Sequence, residues 1–226
     1  MALDTIKKKQ LQLLLNEFEL MSKTALIQFQ ISSKLLEDNN VESLVEEAEA
    51  NEIIMDRLEV KIREEVVYSI FQFNPVATDL RKIITYQDIT TNLERIGDML
   101  LNIVHYLCDV NLKSPIFAGI KSHLHTMFSK VGEMLRNSIF SFSNEDSPAA
   151  YQVIKADDVV DEEFRTIRRI LQEVFSNKLL DKSEIENIMT INAIAHNLER
   201  IGDSATNIAE SAIYLAEGKD IRHGNK

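Results

Sequence analysis

The heptapeptide Asn-Leu-Glu-Arg-Ile-Gly-Asp occurs twice, at residues 92–98 and at 197–203, 105 positions apart. A packing stripe tolerates many substitutions, so packing alone does not demand identical letters with a helix-weakening Gly among them. The match also extends further. Nine of the twelve positions 92–103 equal those of 197–208, Asn102/Asn207 and Ile103/Ile208 among them. The same offset pairs Glu52 with Asp157, Asp56 with Asp161, Ile62 with Ile167 and Arg63 with Arg168. A frame that holds through one segment, a turn and the next segment predicts two copies of one unit. We place them at residues 1–109 and 110–226, divided near the Cys-Asp-Val-Asn-Leu-Lys-Ser-Pro stretch at 108–115.

Within each unit the apolar residues recur at helical spacing. Leu93, Ile96, Leu100, Ile103 and Leu107 alternate steps of three and four, as do Leu198, Ile201, Ala205, Ile208 and Ala212. The prolines act as punctuation: Asn74-Pro75, Ser114-Pro115 and Ser147-Pro148 each place a good capping residue before a Pro at the first helical position. Asp181 and Glu184 have capping-box spacing, and Gly218 suits a helix end. The reading is all-α, with six long helices over 4–38, 41–73, 75–108, 115–143, 148–177 and 181–218, forming two tandem three-helix bundles related by a pseudo-two-fold. Short connections make sequential neighbours antiparallel.

Composition narrows function mainly by exclusion. A net charge of −11 repels a phosphate backbone, so nucleic acid is not an expected partner. The Lys7-Lys8-Lys9 run is too short to reverse that and reads as a solvated helix face. One cysteine, Cys108, fits a reducing compartment and lies at a helix end with no base beside it. Neither an apolar leader nor a membrane-length apolar run is legible, so the expected location is the cytoplasm. No Glu-x-x-His, glycine-rich phosphate loop, nucleophile elbow or metalloprotease signature is present, and the five His are scattered.

What remains is acidic. Glu52 and Asp56, Glu94 and Asp98, Asp157 and Asp161, and Glu199 and Asp203 are each four apart, so each pair leaves one face of a helix. Paired like charges repel. The pairs lie on the second and third helices of each unit, and at matching heights they bring four carboxylates together across a groove. A cation relieves that repulsion, and oxygen-only sites suit magnesium, manganese, calcium or iron, and zinc more loosely. Four pairs held in register between the repeats separate this pattern from the drifting charges of a solvated face; Glu46-Glu47 and the Asp161–Glu163 run, lacking such register, read as surface. Gly97 and Gly202 are expected where a neighbouring backbone approaches closely or a bound ion needs room, and Arg95 and Arg200 where they pair with nearby carboxylates, either orienting them or as routine surface ion pairs.

Two three-helix units, each with Glu-Arg-Ile-Gly-Asp, resemble the PhoU-type phosphate-regulatory proteins. Asn-Pro-Val-Ala-Thr-Asp-Leu-Arg-Lys-Ile at 74–83, Ala-Thr-Asn-Ile-Ala-Glu at 205–210 and the tail at 214–223 extend the likeness over essentially the whole chain. The resemblance implies a cytoplasmic, homodimeric, non-enzymatic negative regulator of the phosphate-starvation response. Its partners would be the phosphate ABC transporter and a sensor histidine kinase, with the membrane reached only through them. It also implies multinuclear metal binding through (Glu/Asp)-x-x-x-Asp motifs, carried here by Glu52–Asp56, Glu94–Asp98, Asp157–Asp161 and Glu199–Asp203, with iron, zinc, manganese or magnesium as the ion. Both copies depart from the family pattern in having neutral Asn92 and Asn197 before the motif, which reduces the charge available and points to one or two ions per repeat. The rival readings are a structural helical adaptor without metal and a carboxylate-bridged metalloenzyme; storage is disfavoured by the few sites.

Overall fold

The computed structural model describes residues 2–39, 41–75, 78–177 and 179–222, with the side chains of residues 2–9 and 11 outside that description. The Lys7–Lys9 side chains and His223 therefore lie outside the described residues. Six helices follow one another: α1 (Ala2–Glu37), α2 (Glu42–Phe73), α3 (Thr78–Asp109), α4 (Pro115–Ser143), α5 (Ser147–Asn177) and α6 (Lys182–Glu217). They are 29 to 36 residues long, and no strand occurs among the described residues. Helices α1–α3 pack pairwise into one bundle and α4–α6 into another; α3 lies against α6, and α1 touches α4.

Helix ends follow local chemistry, with two corrections to the sequence reading. Ser114 caps α4, accepting from the Phe117 N–H at 3.0 Å with Pro115 at the first position. Asp181 and Glu184 form the full capping box of α6, and Gly218 closes that helix at φ +69°. Asn74, expected to start the third helix, instead ends α2: it adopts the left-handed conformation (φ 41°, ψ 57°) and its N–H bonds the Ile70 carbonyl. Asn tolerates that region better than most residues, which suits it to a helix end as well as a start. Ser147, the expected cap of α5, lies inside the helix. Asp146 accepts from the Ala149 N–H at 3.0 Å, so the helix begins one residue earlier than expected.

The two central helices are buried on more than one side, α3 between its own bundle and α6, and α6 likewise. Polar residues survive there by bonding back to the preceding turn. Thr85 and Thr90 donate to the Arg81 and Tyr86 carbonyls, and Asn197 and Ser204 to those of Ala193 and Arg200. An aromatic triangle of Phe18, Tyr86 and Phe142, with centroids 5.0 to 5.5 Å apart, ties α1, α3 and α4 across the repeats. Phe29 reaches α4 over Gly132, where a Cβ would stand 2.6 Å from its ring. Asn187 on α6 clamps the link between repeats, accepting from the Asn111 N–H and donating to Ser114 Oγ. This scaffold holds α2 against α3, and α5 against α6, along the faces that carry the acidic pairs.

Candidate functional site

The repeated glycine explains how those helices approach. At Gly97 a Cβ would stand 2.9 Å from Glu52 Oε2 and from the Met55 Sδ and Cε, inside van der Waals contact. At Gly202 it would stand 3.3 Å from Asp157 Oδ1 and 3.5 Å from Val160 Cγ1. The pairing is the same at the two 105-related positions: bare backbone on the third helix of the unit, and an acidic side chain of the second helix laid across it. The Asp contact is looser because its side chain is one methylene shorter.

In the first repeat this places Glu52 deep. The residue is 8% exposed, and no N–H or hydroxyl group donates to either carboxylate oxygen. Burial, then the adjoining Asp98 carboxyl, then the charges of Asp56 and Glu94, push its pKa up to about 8. Two carboxyls can share a hydrogen bond only when one keeps a proton, which that elevation favours. Glu94, half-buried, is raised as well, chiefly by burial and then by Asp98, Glu59 and Asp56, against a lowering influence from Arg95. The four sequence-predicted residues of this repeat therefore sit in one another's field, Asp56 and Asp98 at the exposed rim.

Glu59 is a fifth carboxylate that the pairwise pattern missed. It lies seven residues from Glu52 and three from Asp56, on the same side of α2, and that spacing could have revealed it. It also accepts an ion pair from Arg63 on the next turn.

The second repeat differs. Asp157, Asp161 and Glu199 are half-buried and Asp203 is exposed. Glu199 is raised by burial first and then by Asp203, with Asp161 adding and His196 opposing. His196 Nδ1 lies 3.4 Å from Glu199, and its ring stacks on Phe164 at a centroid distance of 5.7 Å. Counted back by 105, Phe164 and His196 correspond to Glu59 and Thr91. One repeat thus groups five acids within one another's electrostatic reach, and the other has four acids beside an imidazole.

Other readings change here. Arg95 and Arg200 are exposed and make no ion pair among the described residues, so they do not orient the carboxylates by contact. The Asp161–Glu163 run is not simply solvated: Asp161 accepts from Arg165 at 2.9 Å, and Glu163 joins α5 to α4 through His123 at 2.6 Å. Glu46 and Glu47 are exposed as expected. Cys108 is exposed as a residue, but partial desolvation of its thiol, followed by the Asp109 charge, holds its pKa up, away from a nucleophilic thiolate.

The donor chemistry of the first pocket fits a hard cation, since all its ligand atoms are oxygens and the two Glu52 oxygens are buried without a donor. Among the described residues, no three His, Cys, Asp or Glu side chains converge as they stand on a point that could hold an ion. No described helix is long and apolar enough to cross a membrane.

Comparison with known proteins agrees with the duplicated architecture. The PhoU domain profile matches residues 18–107 and again 124–212. The phosphate-specific transport system accessory protein PhoU homolog 1 of Thermotoga maritima is 31% identical over 184 residues, covering 80% of this chain and 76% of its own length. The PhoU homolog of Aquifex aeolicus is 33% identical over 192 residues, covering 85% and 84%. The crystal structure of PhoU from Pseudomonas aeruginosa superposes with a TM-score of 0.84 at 27% identity, over 94% of this chain and 99% of that one. PhoU from Streptococcus pneumoniae, at 19% identity and a TM-score of 0.72, shares the fold over 96% and 98%. The chain belongs to the PhoU family.

Proposed function

We propose that this chain is a non-enzymatic, cytoplasmic regulator that restrains phosphate uptake and the phosphate-starvation response. It acts through contacts with the phosphate ABC transporter and a sensor histidine kinase, functions as a homodimer, and takes up a divalent or trivalent cation in its acidic pockets. Family membership and the names of its relatives, accessory proteins of phosphate-specific transport, support the transport-linked part. The metal part rests on Glu52, a buried carboxylate with no donor, beside Asp98, Asp56 and Glu94.

Glu52, Asp56, Glu94 and Asp98 would hold the ion in the first repeat, and Asp157, Asp161, Glu199 and Asp203 in the second. A bound cation supplies positive charge between helices whose facing side chains otherwise repel, and by linkage it favours the docked arrangement of α2 on α3 and of α5 on α6. An equilibrium between helix arrangements would then carry the signal to the partners. To grip an ion the carboxylates must rotate from their present rotamers, a modest cost for exposed side chains such as Asp56 and Asp98.

A second reading, an adaptor whose acidic pairs never take up metal, is favoured by the absence of any ready three-ligand group among the described residues. Elemental analysis of purified protein, followed by calorimetric titration of stripped protein with manganese, iron, zinc and magnesium, separates the two. In parallel, a phosphatase reporter is followed in a bacterium lacking its own homologue. Silencing of the reporter at high phosphate by wild type, with loss of metal uptake in Glu52→Gln/Asp98→Asn, is the expected result. Failure to silence the reporter refutes the regulatory reading; silencing without any metal uptake leaves the adaptor.

A further inference from the structure

Ile167-Arg168 repeats Ile62-Arg63, yet the two arginines keep different company. Arg63 is ion-paired with Glu59, one turn earlier on α2. At the matching place on α5 stands Phe164, so Arg168 rests over that ring, 5.6 Å from its centroid, and makes no ion pair among the described residues. The arginines on either side of it are engaged: Arg165 donates to Asp161 and Arg169 to Glu173, each at 2.9 Å. A ring in place of an acid thus leaves one guanidinium in the second repeat with its donors unspent on any carboxylate. It stands at the rim of a groove of about 380 Å³ between α5 and α6. Leu171 and Ile188, 4% and 8% exposed, form the floor, and Phe175 and Met189, 59% and 67% exposed, form the walls. Exposed Gln172 and Asn192 complete the rim with two amides.

The charge of the groove says what fits it. Among the described residues no Asp or Glu lines it, in a chain that has 36 of them and a net charge of −11. An apolar trough with a single cation at its mouth favours a ligand with an apolar body and one anionic end. The body displaces water from Leu171 and Ile188, and the anion takes charge-assisted hydrogen bonds from the guanidinium. An inorganic anion gains nothing from the floor, and a cation is repelled at the rim. A lipid bilayer presents headgroups rather than tails to a concave surface between two helices, which favours a free molecule. The thioether of Met189 is a wall that adapts to tails of different shape. We propose that the α5–α6 groove binds a small soluble amphiphile, a carboxylate or phosphate monoester on a short apolar tail, with its head on Arg168. The site needs neither the metal nor the dimer proposed above.

Calorimetric titration of the chelator-treated full chain with decanoate and with decyl phosphate, each below its micelle concentration, tests it. One saturable site per chain is expected, with decanol weaker by about tenfold or more and decyltrimethylammonium not bound. Arg168→Gln removes the charge at an exposed position and lowers decanoate affinity by about tenfold, to the level of decanol. Met189→Glu sets a like charge on the wall and abolishes binding, while circular dichroism melting shows that both variants remain folded. Inorganic phosphate, which lacks a tail, leaves decanoate binding uncompeted. No saturable binding of either amphiphile up to about 1 mM overturns the proposal. So does decanoate affinity that is unchanged in Arg168→Gln or equal to that of decanol. Adsorption of wild type to anionic phospholipid vesicles without binding of the soluble amphiphiles overturns it in favour of a membrane surface. Two equal sites per chain overturn the difference between the repeats.

Discussion

Replacing Glu52 by Gln isolates the electrostatic cost of the first pocket. The folded chain holds this carboxyl at about 8 against an ordinary 4.5, through burial first and then Asp98, Asp56 and Glu94. Because the folded value is the higher, the folded state carries an extra proton between those limits. Stability therefore falls as pH rises from about 4.5 to about 8 and is flat above that. The full difference corresponds to a ceiling on the order of 5 kcal/mol, at roughly 1.4 kcal/mol per tenfold change in proton affinity. Relaxation of the Asp98 and Asp56 side chains toward water brings the observable part below that ceiling. Gln keeps the shape, cannot ionise, and offers an amide donor to Asp98. Urea unfolding of chelator-treated protein at pH 5.5, 7 and 8.5 is the assay. Wild type is expected to lose about 2 kcal/mol or more relative to Glu52→Gln across that range. Glu94 and Glu199 are also raised, so both proteins keep a shallower common slope of the same sign. Parallel profiles for the two proteins, within about 0.5 kcal/mol, refute the claim that Glu52 is a buried, uncompensated acid. Manganese at about a hundred times its dissociation constant should return about 2.7 kcal/mol to wild type at pH 8.5 and much less to Glu52→Gln.

Gly97→Ala should be less stable than Gly202→Ala by about 1 kcal/mol, because both gain helix propensity but the new methyl stands 2.9 Å from Glu52 and Met55 at the first site and a looser 3.3 Å from Asp157 at the second; urea midpoints compare them directly. Gly132→Ala should cost about 1–3 kcal/mol by pushing the Phe29 ring out from between α1 and α4, with loss of near-ultraviolet dichroism as a second readout. Ser114→Ala removes the α4 cap and the acceptor for Asn187, and thermal melting should show a loss of about 1–2 kcal/mol.

Much of this protein is decided locally and is therefore legible from residue order. The spacing of Leu93, Ile96, Leu100, Ile103 and Leu107 specifies a helix and its buried face wherever that helix ends up. Ser114-Pro115 and the Asp181–Glu184 box specify starts, because capping bonds reach only three residues. The 105-residue offset specifies duplication, and with it the eight acids and the two glycines. Asn74 shows the limit of local reasoning. Its side chain suits either the start of α3 or the left-handed end of α2, and nothing within a few residues chooses between them.

Tertiary packing decided what spacing could not. Glu52 and Asp56 share a face of α2, yet one is buried without a donor and the other lies in solvent. Four residues turn a helix by 40° beyond a full circle, enough to straddle the edge of the α2–α3 contact, and that edge is set by how closely Gly97 lets α2 approach. The unequal pockets arise the same way. Phe164 on α5 and His196 on α6, standing where the first repeat has Glu59 and Thr91, become neighbours only when the separate helices pack. The groove beside Arg168 is not a pattern in the chain at all, because Leu171 and Ile188 become one floor only through contact between α5 and α6.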